Sequence, residues 1–289
     1  MYLARGFGAS GFEKRLAIKT LLPAYRGMGA YERLLIEEAR LSARLEHRGL
    51  VSVHELGVDQ GVYYACMDYV DGADLGTLTR RAESDPPAVP LPLVLSIAEE
   101  IAHALEYVHR YADEQGPLGL VHRDVSPSNI LISRAGEVKL ADFGIAKATM
   151  LAEDTLSNIR KGKYAYMSPE QVAGEPLTSV SDQFGLGVTL AELCTGTRPF
   201  DGATVMDTLD NIKAAHKPDL AGLDDDVRAI IWTCLARDPA SRFASADALA
   251  RALAESRRQR AIVTPTELGE WVANRLPNIT PEPDQPGQR

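Results

Sequence analysis

The sequence predicts an α+β chain in two lobes, a small strand-rich one followed by a larger helical one. Short strand-like runs and glycine turns fill most of residues 1–70, broken by one helical stretch. From about residue 72 the apolar periodicity turns helical, and a length of 289 residues suits two lobes.

The elements follow in order. Residues 1–5 and 15–20 (RLAIKT) read as strands, with the glycines of GFGASG, Gly6 to Gly11, between them as in a hairpin. Residues 30–46 read as a helix, because Leu34, Leu35, Leu41 and Leu45 recur at helical spacing without Gly or Pro. LVSVHELG and VYYACMDYV are strand-like, joined by a turn at Asp59-Gln60-Gly61. The Pro-rich DPPAVPLP leads into a long helix over 92–112, with Leu93, Ile97, Ile101, Leu105 and Val108 as its apolar stripe. Loops and strands are expected over 118–170, then helices over 179–195, 204–215, 224–236 and 245–258. TELGEWVANRL adds an amphipathic helix whose Leu268, Trp271, Val272 and Leu276 face is expected to pack on the large lobe. PNITPEPDQPGQR reads as a disordered tail. The expected organisation is 1–70, 71–256, a helical extension at 257–276 and a tail at 277–289.

Composition narrows the function. A net charge of −9 argues against a general nucleic-acid binder. Cys66, Cys194 and Cys234 lie far apart and read as buried thiols in a reducing compartment. No apolar run is long enough for a membrane-spanning helix and no signal-peptide layout opens the chain, so a cytoplasmic protein is expected. The histidines show no metal spacing, DDD at 224–226 reads as an acidic helix start, and RRQR at 257–260 as a solvated helix end.

The chemistry concentrates in HRDVSPSN, His122 to Asn129. It is followed by DFG at Asp142 to Gly144 and SPE at Ser168 to Glu170. Order and spacing together resemble the eukaryotic-type protein kinase family, most closely its bacterial serine/threonine branch, over about residues 1–256. The resemblance implies a bilobal kinase-like fold that transfers the γ-phosphate of ATP to protein hydroxyls with Mg²⁺. It makes Asp124 the base, Asn129 and Asp142 the metal ligands, and Lys19 of AIK the holder of the α- and β-phosphates. Lys19 requires a carboxylate partner, Glu38 by register, with Glu37 as the fallback. Around the adenine it implies Ala17 and Leu131 above and below the ring, Met67 as gatekeeper, Asp68 and Val70 at the hinge, and Asp74 at the ribose. Asp182 resembles the buried acid that braces the catalytic loop, and Glu170 with Arg242 a buried ion pair. Arg123 suggests a basic pocket for a phosphorylated segment, with Thr149, Thr155 and Ser157 as candidate sites.

The sequence departs from the family in two ways. Ser126 stands where a lysine usually touches the γ-phosphate, and Lys163 stands where GKYAY replaces a threonine motif. The two positions are neighbours in the family fold, so Lys163 is expected to supply the charge that Ser126 lacks. The second departure is GFGASG itself. Only eight residues separate Gly11 from Lys19, too few for a strand and a return across the sheet at about 3.3 Å per residue. GFGASG is therefore expected to be the turn between the family's second and third strands, and the first strand and Gly-rich loop are expected to be missing. A start codon placed too late is the favoured explanation, over a chain that naturally lacks the loop. Two rivals to an active protein kinase stay open: a pseudokinase scaffold with weak turnover, and a small-molecule phosphotransferase. The protein substrate and oligomeric state are not legible.

Overall fold

The computed structural model describes residues 1–80, 89–144 and 164–276. The expected tail at 277–289 lies outside them.

The small lobe is a four-stranded antiparallel sheet in the order β1-β2-β4-β3, covered by one helix. β1 (Tyr2–Phe7) pairs with β2 (Glu13–Thr20) from Tyr2↔Ile18 to Phe7↔Glu13. GFGASG closes that hairpin, Gly8 donating to the Phe12 carbonyl at 2.8 Å. Ser10 and Gly11 take φ of 58° and 78°, the left-handed conformation that glycine adopts without strain. β3 (Val53–Asp59) and β4 (Val62–Asp68) are joined through Gln60 and Gly61, both at positive φ, the pattern of a tight two-residue hairpin.

α1 (Gly29–Ser42) stops short of the predicted residue 46. Leu45 leaves the helical path to enter the main core, and the Glu46 amide donates to the Tyr107 hydroxyl at 3.0 Å. β3 likewise begins later than the pattern suggested. The Val51 amide is taken by the Leu140 carbonyl (3.0 Å), and Leu140 donates back to Gly49 (2.8 Å).

The large lobe opens with β5 (Gly72–Asp74) and α2 (Leu75–Thr79), followed by α3 (Leu91–Arg110). A small hairpin of β6 (Ala112–Asp113) and β7 (Gly116–Pro117) follows α3. β8 (Ile130–Ser133) and β9 (Val138–Leu140) join β5 in a second sheet ordered β5-β8-β9. Helices α4 (Pro169–Ala173), α5 (Ser181–Thr195), α6 (Val205–Ala214), α7 (Asp225–Cys234), α8 (Ala246–Arg258) and α9 (Pro265–Arg275) complete it. Capping boxes start α4, α6 and α9, from Ser168, Thr204 and Thr264.

The core centres on α3, α5 and α8. Ile97, Ile101, Leu105 and Phe184 are fully enclosed, each such side chain contributing about 1.5–3 kcal/mol. α5 is buried on nearly every side. A Cβ on Gly185 would lie 2.8 Å from the Val125 carbonyl, and one on Gly187 2.6 Å from Cys234 Cβ. Gly185 thus lets α5 lie directly beneath the segment at 122–129, and Gly187 lets it close on the end of α7. The acidic helix start at 224–226 is as expected, but the helix end at 257–260, read as solvated, is bonded to other elements. Arg260 donates to Asp224 (2.6 Å) and Asp226 (2.7 and 2.9 Å), while Arg257 reaches Glu99 at 2.7 Å.

Candidate active site

Lys19 projects from β2, one residue past the Ile18↔Cys66 pair. Its Nζ lies 2.6 Å from Glu38 Oε1 and 2.8 Å from Asp142 Oδ1. Of the two carboxylates considered on α1, Glu38 makes this contact and Glu37 faces solvent. Burial works against the Lys19 ammonium, but Asp142 and Glu38 outweigh it and hold its pKa above the ordinary value. Burial pushes the Glu38 carboxyl up, and Lys19 offsets only part of that rise. A cavity of about 20 Å³ lies behind the trio, lined also by Leu35, Val53 and Met67.

Asp124 stands on the loop after His122, and a web of backbone contacts holds that loop. Asp182, at the start of α5, accepts the amides of His122 (2.8 Å) and Arg123 (2.7 Å). Its Oδ2 also lies 2.7 Å from His109 Nε2. Burial would raise Asp182, but the His109 contact and these amides hold it below the ordinary carboxylate range. Gln171 of α4 donates to the Arg123 carbonyl at 2.9 Å. Arg123 and Asp142 have φ of 70° and 55°, conformations costing on the order of 1–3 kcal/mol for non-glycine residues. Gly144 donates to the His122 carbonyl at 2.8 Å, and a Cβ there would lie 2.8 Å from Asp124 Cβ. The His122 ring packs on Phe143 with centroids 4.7 Å apart, and burial pushes the imidazole pKa down.

Asn129 donates its side-chain amide to the Asp124 carbonyl at 2.9 Å. That fixes its Nδ2 and turns the amide oxygen to the other side. Ser126 is buried, its hydroxyl 3.0 Å from Ser128 Oγ and 3.5 Å from Asp124 Oδ1. Lys163 lies outside the described residues, as do Thr149, Thr155 and Ser157.

The apolar positions converge. Ala17 and Met67 face each other across β2 and β4, and both join Val70 and Leu131 in one cluster between the lobes. The acids beside them are already engaged. Asp68 lies 2.8 Å from His54 Nε2 and 3.3 Å from Lys14 Nζ. Asp74 caps α2, accepting the Thr77 amide (2.9 Å) and hydroxyl (2.6 Å). Glu170 and Arg242 form the buried pair, bonded twice at 2.6 and 2.9 Å.

Sequence reading passed over His109, Gln171 and Ser128. His109 has no metal spacing in the sequence, yet it lies in the last turn of α3 facing the Asp182 carboxylate. Its place at the end of a strongly amphipathic helix was the available signal.

A held lysine–carboxylate pair, an acid on a braced loop and an apolar slot between lobes can bind a base and orient a polyphosphate. The comparisons agree with that chemistry. The family described as protein kinase domain matches residues 10–253. The chain is 38% identical over 261 residues to the tyrosine-protein kinase MasK of Myxococcus xanthus, covering 88% of this chain and 40% of that one. It is 34% identical over 239 residues to the serine/threonine-protein kinase PrkC of Bacillus subtilis, covering 81% and 35%. It thus spans well under half the length of both relatives. Among solved structures, the PknI kinase domain of Mycobacterium tuberculosis superposes with a TM-score of 0.64 at 29% identity, covering 87% and 88% of the chains.

Proposed function

This chain belongs to the protein kinase family, and we propose that it transfers the γ-phosphate of ATP to serine and threonine hydroxyls of proteins. The observation that carries this is the Lys19 ammonium set between Glu38 and Asp142. A fixed cation there suits the α- and β-phosphates. The apolar slot of Ala17, Met67, Val70 and Leu131 suits the adenine, with the Asp68 to Val70 backbone along its edge and Asp74 at the ribose. On this reading residues 1–70 cover the nucleotide, 71–256 carry the acceptor, and 257–276 are an appended segment.

The donors fit magnesium. Asp142 offers a carboxylate and Asn129 an amide oxygen, both hard ligands. Among the described residues no group of three acidic, His or Cys side chains is placed to hold a metal ion by itself, so phosphate oxygens and water would complete the shell. Bound there, Mg²⁺ supplies neutralisation of the phosphate charge. Asp124 accepts the acceptor hydroxyl's proton as its oxygen bonds to the γ-phosphorus and the bond to the β–γ bridging oxygen breaks. ADP leaves with that bridging oxygen. Ser126 brings no charge to this place, and Lys163 supplies it. The unpaired cysteines suit a reducing, cytoplasmic setting, and among the described residues no helix is long and apolar enough to cross a membrane.

The test is phosphate incorporation from labelled ATP into the chain and a generic protein substrate, with Asp142→Ala as the control. Incorporation well above that control is expected. A folded parent no better than the control would leave a scaffold instead. The acceptor has a second reading, resting on the name of the Myxococcus relative and on the absence of lysine at 126. Phosphoamino-acid analysis decides it, and label confined to tyrosine would replace serine and threonine.

A further inference from the structure

The last helix, α9, begins beyond residue 253, where the match to the kinase family ends. It sits against β8 and β5, and β5 is the strand that carries the chain out of the nucleotide strap at 68–71. Its Leu268, Trp271, Val272 and Leu276 are buried in the main core.

The contacts run in an unbroken series at backbone distance. A Cβ on Gly269 would lie 2.3 Å from the Arg134 carbonyl. A Cβ on Gly136, which has φ of 79°, would lie 1.9 Å from the Pro265 carbonyl. The β8–β9 turn is therefore seated directly on the α9 backbone. The same turn holds the strap. Arg134 donates its amide to the Asp71 carbonyl at 2.8 Å, and a Cβ on Gly72 would lie 1.9 Å from the Ile132 carbonyl. Thr264 and Glu267 fix where α9 starts, with bonds of 2.7 and 3.2 Å. Backbone-to-backbone seating leaves no flexible side chain to absorb a displacement, so a shift of α9 passes to Asp71 and Gly72.

We infer that α9 is a positioning element for nucleotide binding. Gly269 and Pro265 seat the β8–β9 turn, and that turn fixes the strap against which the adenine lies. The inference rests on the kinase reading above. The main contacts of α9 run to β8 and β5, on the adenine side of the site, so its effect falls on the base and not on the phosphates.

The experiment compares full-length parent, Gly269→Ala and Val227→Ala, the last trimming the core of α7 as a stability control. Dissociation constants for MgATP and magnesium tripolyphosphate are measured by calorimetry, alongside melting temperature. Gly269→Ala should weaken MgATP by about tenfold, as small misplacements of binding groups do, and leave tripolyphosphate unchanged. Val227→Ala should leave both unchanged. Coupling is reciprocal, so MgATP should also slow amide hydrogen exchange across 265–276 in the parent, a readout that needs no variant. MgATP affinity in Gly269→Ala within twofold of the parent, equal losses for both ligands, or unchanged exchange in α9 would overturn the inference alone. A parent that binds tripolyphosphate but not MgATP, or neither, would instead remove the kinase reading and this inference with it.

Discussion

Glu38 Oε1 lies 2.6 Å from Lys19 Nζ, while Glu37, one residue earlier, turns to solvent. The pair ties α1 to β2 and sets where the lysine stands. Glu38→Gln should therefore lower kcat/KM by about 10²-fold, the scale of a misplaced positioning group. Glu37→Gln should stay within twofold. Steady-state kinetics on both variants checks it, and equal losses would dissolve the distinction.

Glu38 also sets an acid limit. Lys19 is held by the carboxylate and not by the carboxylic acid. Burial raises the Glu38 pKa above its ordinary 4.5. As pH falls, the group takes up its proton earlier than a solvated glutamate would, and activity is lost through that folded pKa. The acid limb of kcat/KM should thus enter above pH 4.5. In Glu38→Gln that limb should vanish from the residual activity.

Stability should fall with acid for a separate reason. His122, Glu170 and Asp182 all have folded pKa values below their ordinary 6.5, 4.5 and 3.8. For each, the unfolded chain binds the proton first, so the stabilisation is complete above the ordinary value and is lost as pH falls toward the folded one. Melting temperature should begin to drop below pH 6.5, with His122, and steepen near the carboxylate values. Asp182→Asn should flatten the lowest part of that curve. A melting temperature constant from neutral to acid pH would contradict this.

Arg242 and Glu170 are bonded twice in the core. Removing one partner strands the other, so Arg242→Met should cost about 3–5 kcal/mol in denaturant unfolding. Glu170→Gln combined with Arg242→Met should cost less than the two single losses added. Strict additivity would mean that the pair is not coupled.

Ser126 is enclosed, its hydroxyl bonded to Ser128 and pointing no charge at Asp124. If Lys163 supplies that charge, Lys163→Met should lower kcat by about 10²–10³-fold, the loss of ~2.7–4 kcal/mol seen when a transition-state donor goes. Turnover within twofold of the parent would rule it out.

Much of this was legible in the sequence, for local reasons. GFGASG was readable as a hairpin because the count to Lys19 leaves no room for anything else, and the helix starts at 204 and 264 carry their own capping residues. The long apolar stripe on α3 needed only periodicity. What failed was long-range or very short. The β6–β7 hairpin has two-residue strands, too brief for alternation to register. The end of α1 is set by Leu45 choosing a core built mostly from later residues. Arg257 and Arg260 looked solvated because their partners, Glu99 for the first and Asp224 and Asp226 for the second, lie far away in the chain. In the site, residue types gave the roles to expect, but they could not say that Asp74 would spend its oxygens on Thr77 or that His109 would meet Asp182.

The two tryptophans stand in opposite surroundings. Trp232 is partly exposed beneath the Lys217 and Arg228 side chains, bonded to the Pro218 carbonyl at 3.2 Å. Trp271, on α9, is enclosed, with Arg275 over its ring at 4.4 Å and no hydrogen-bond partner for its Nε1 among the described residues. The chain therefore carries its own optical probe: the shorter-wavelength part of its intrinsic emission comes from the C-terminal helix, so undocking of that segment can be followed by colour without any label.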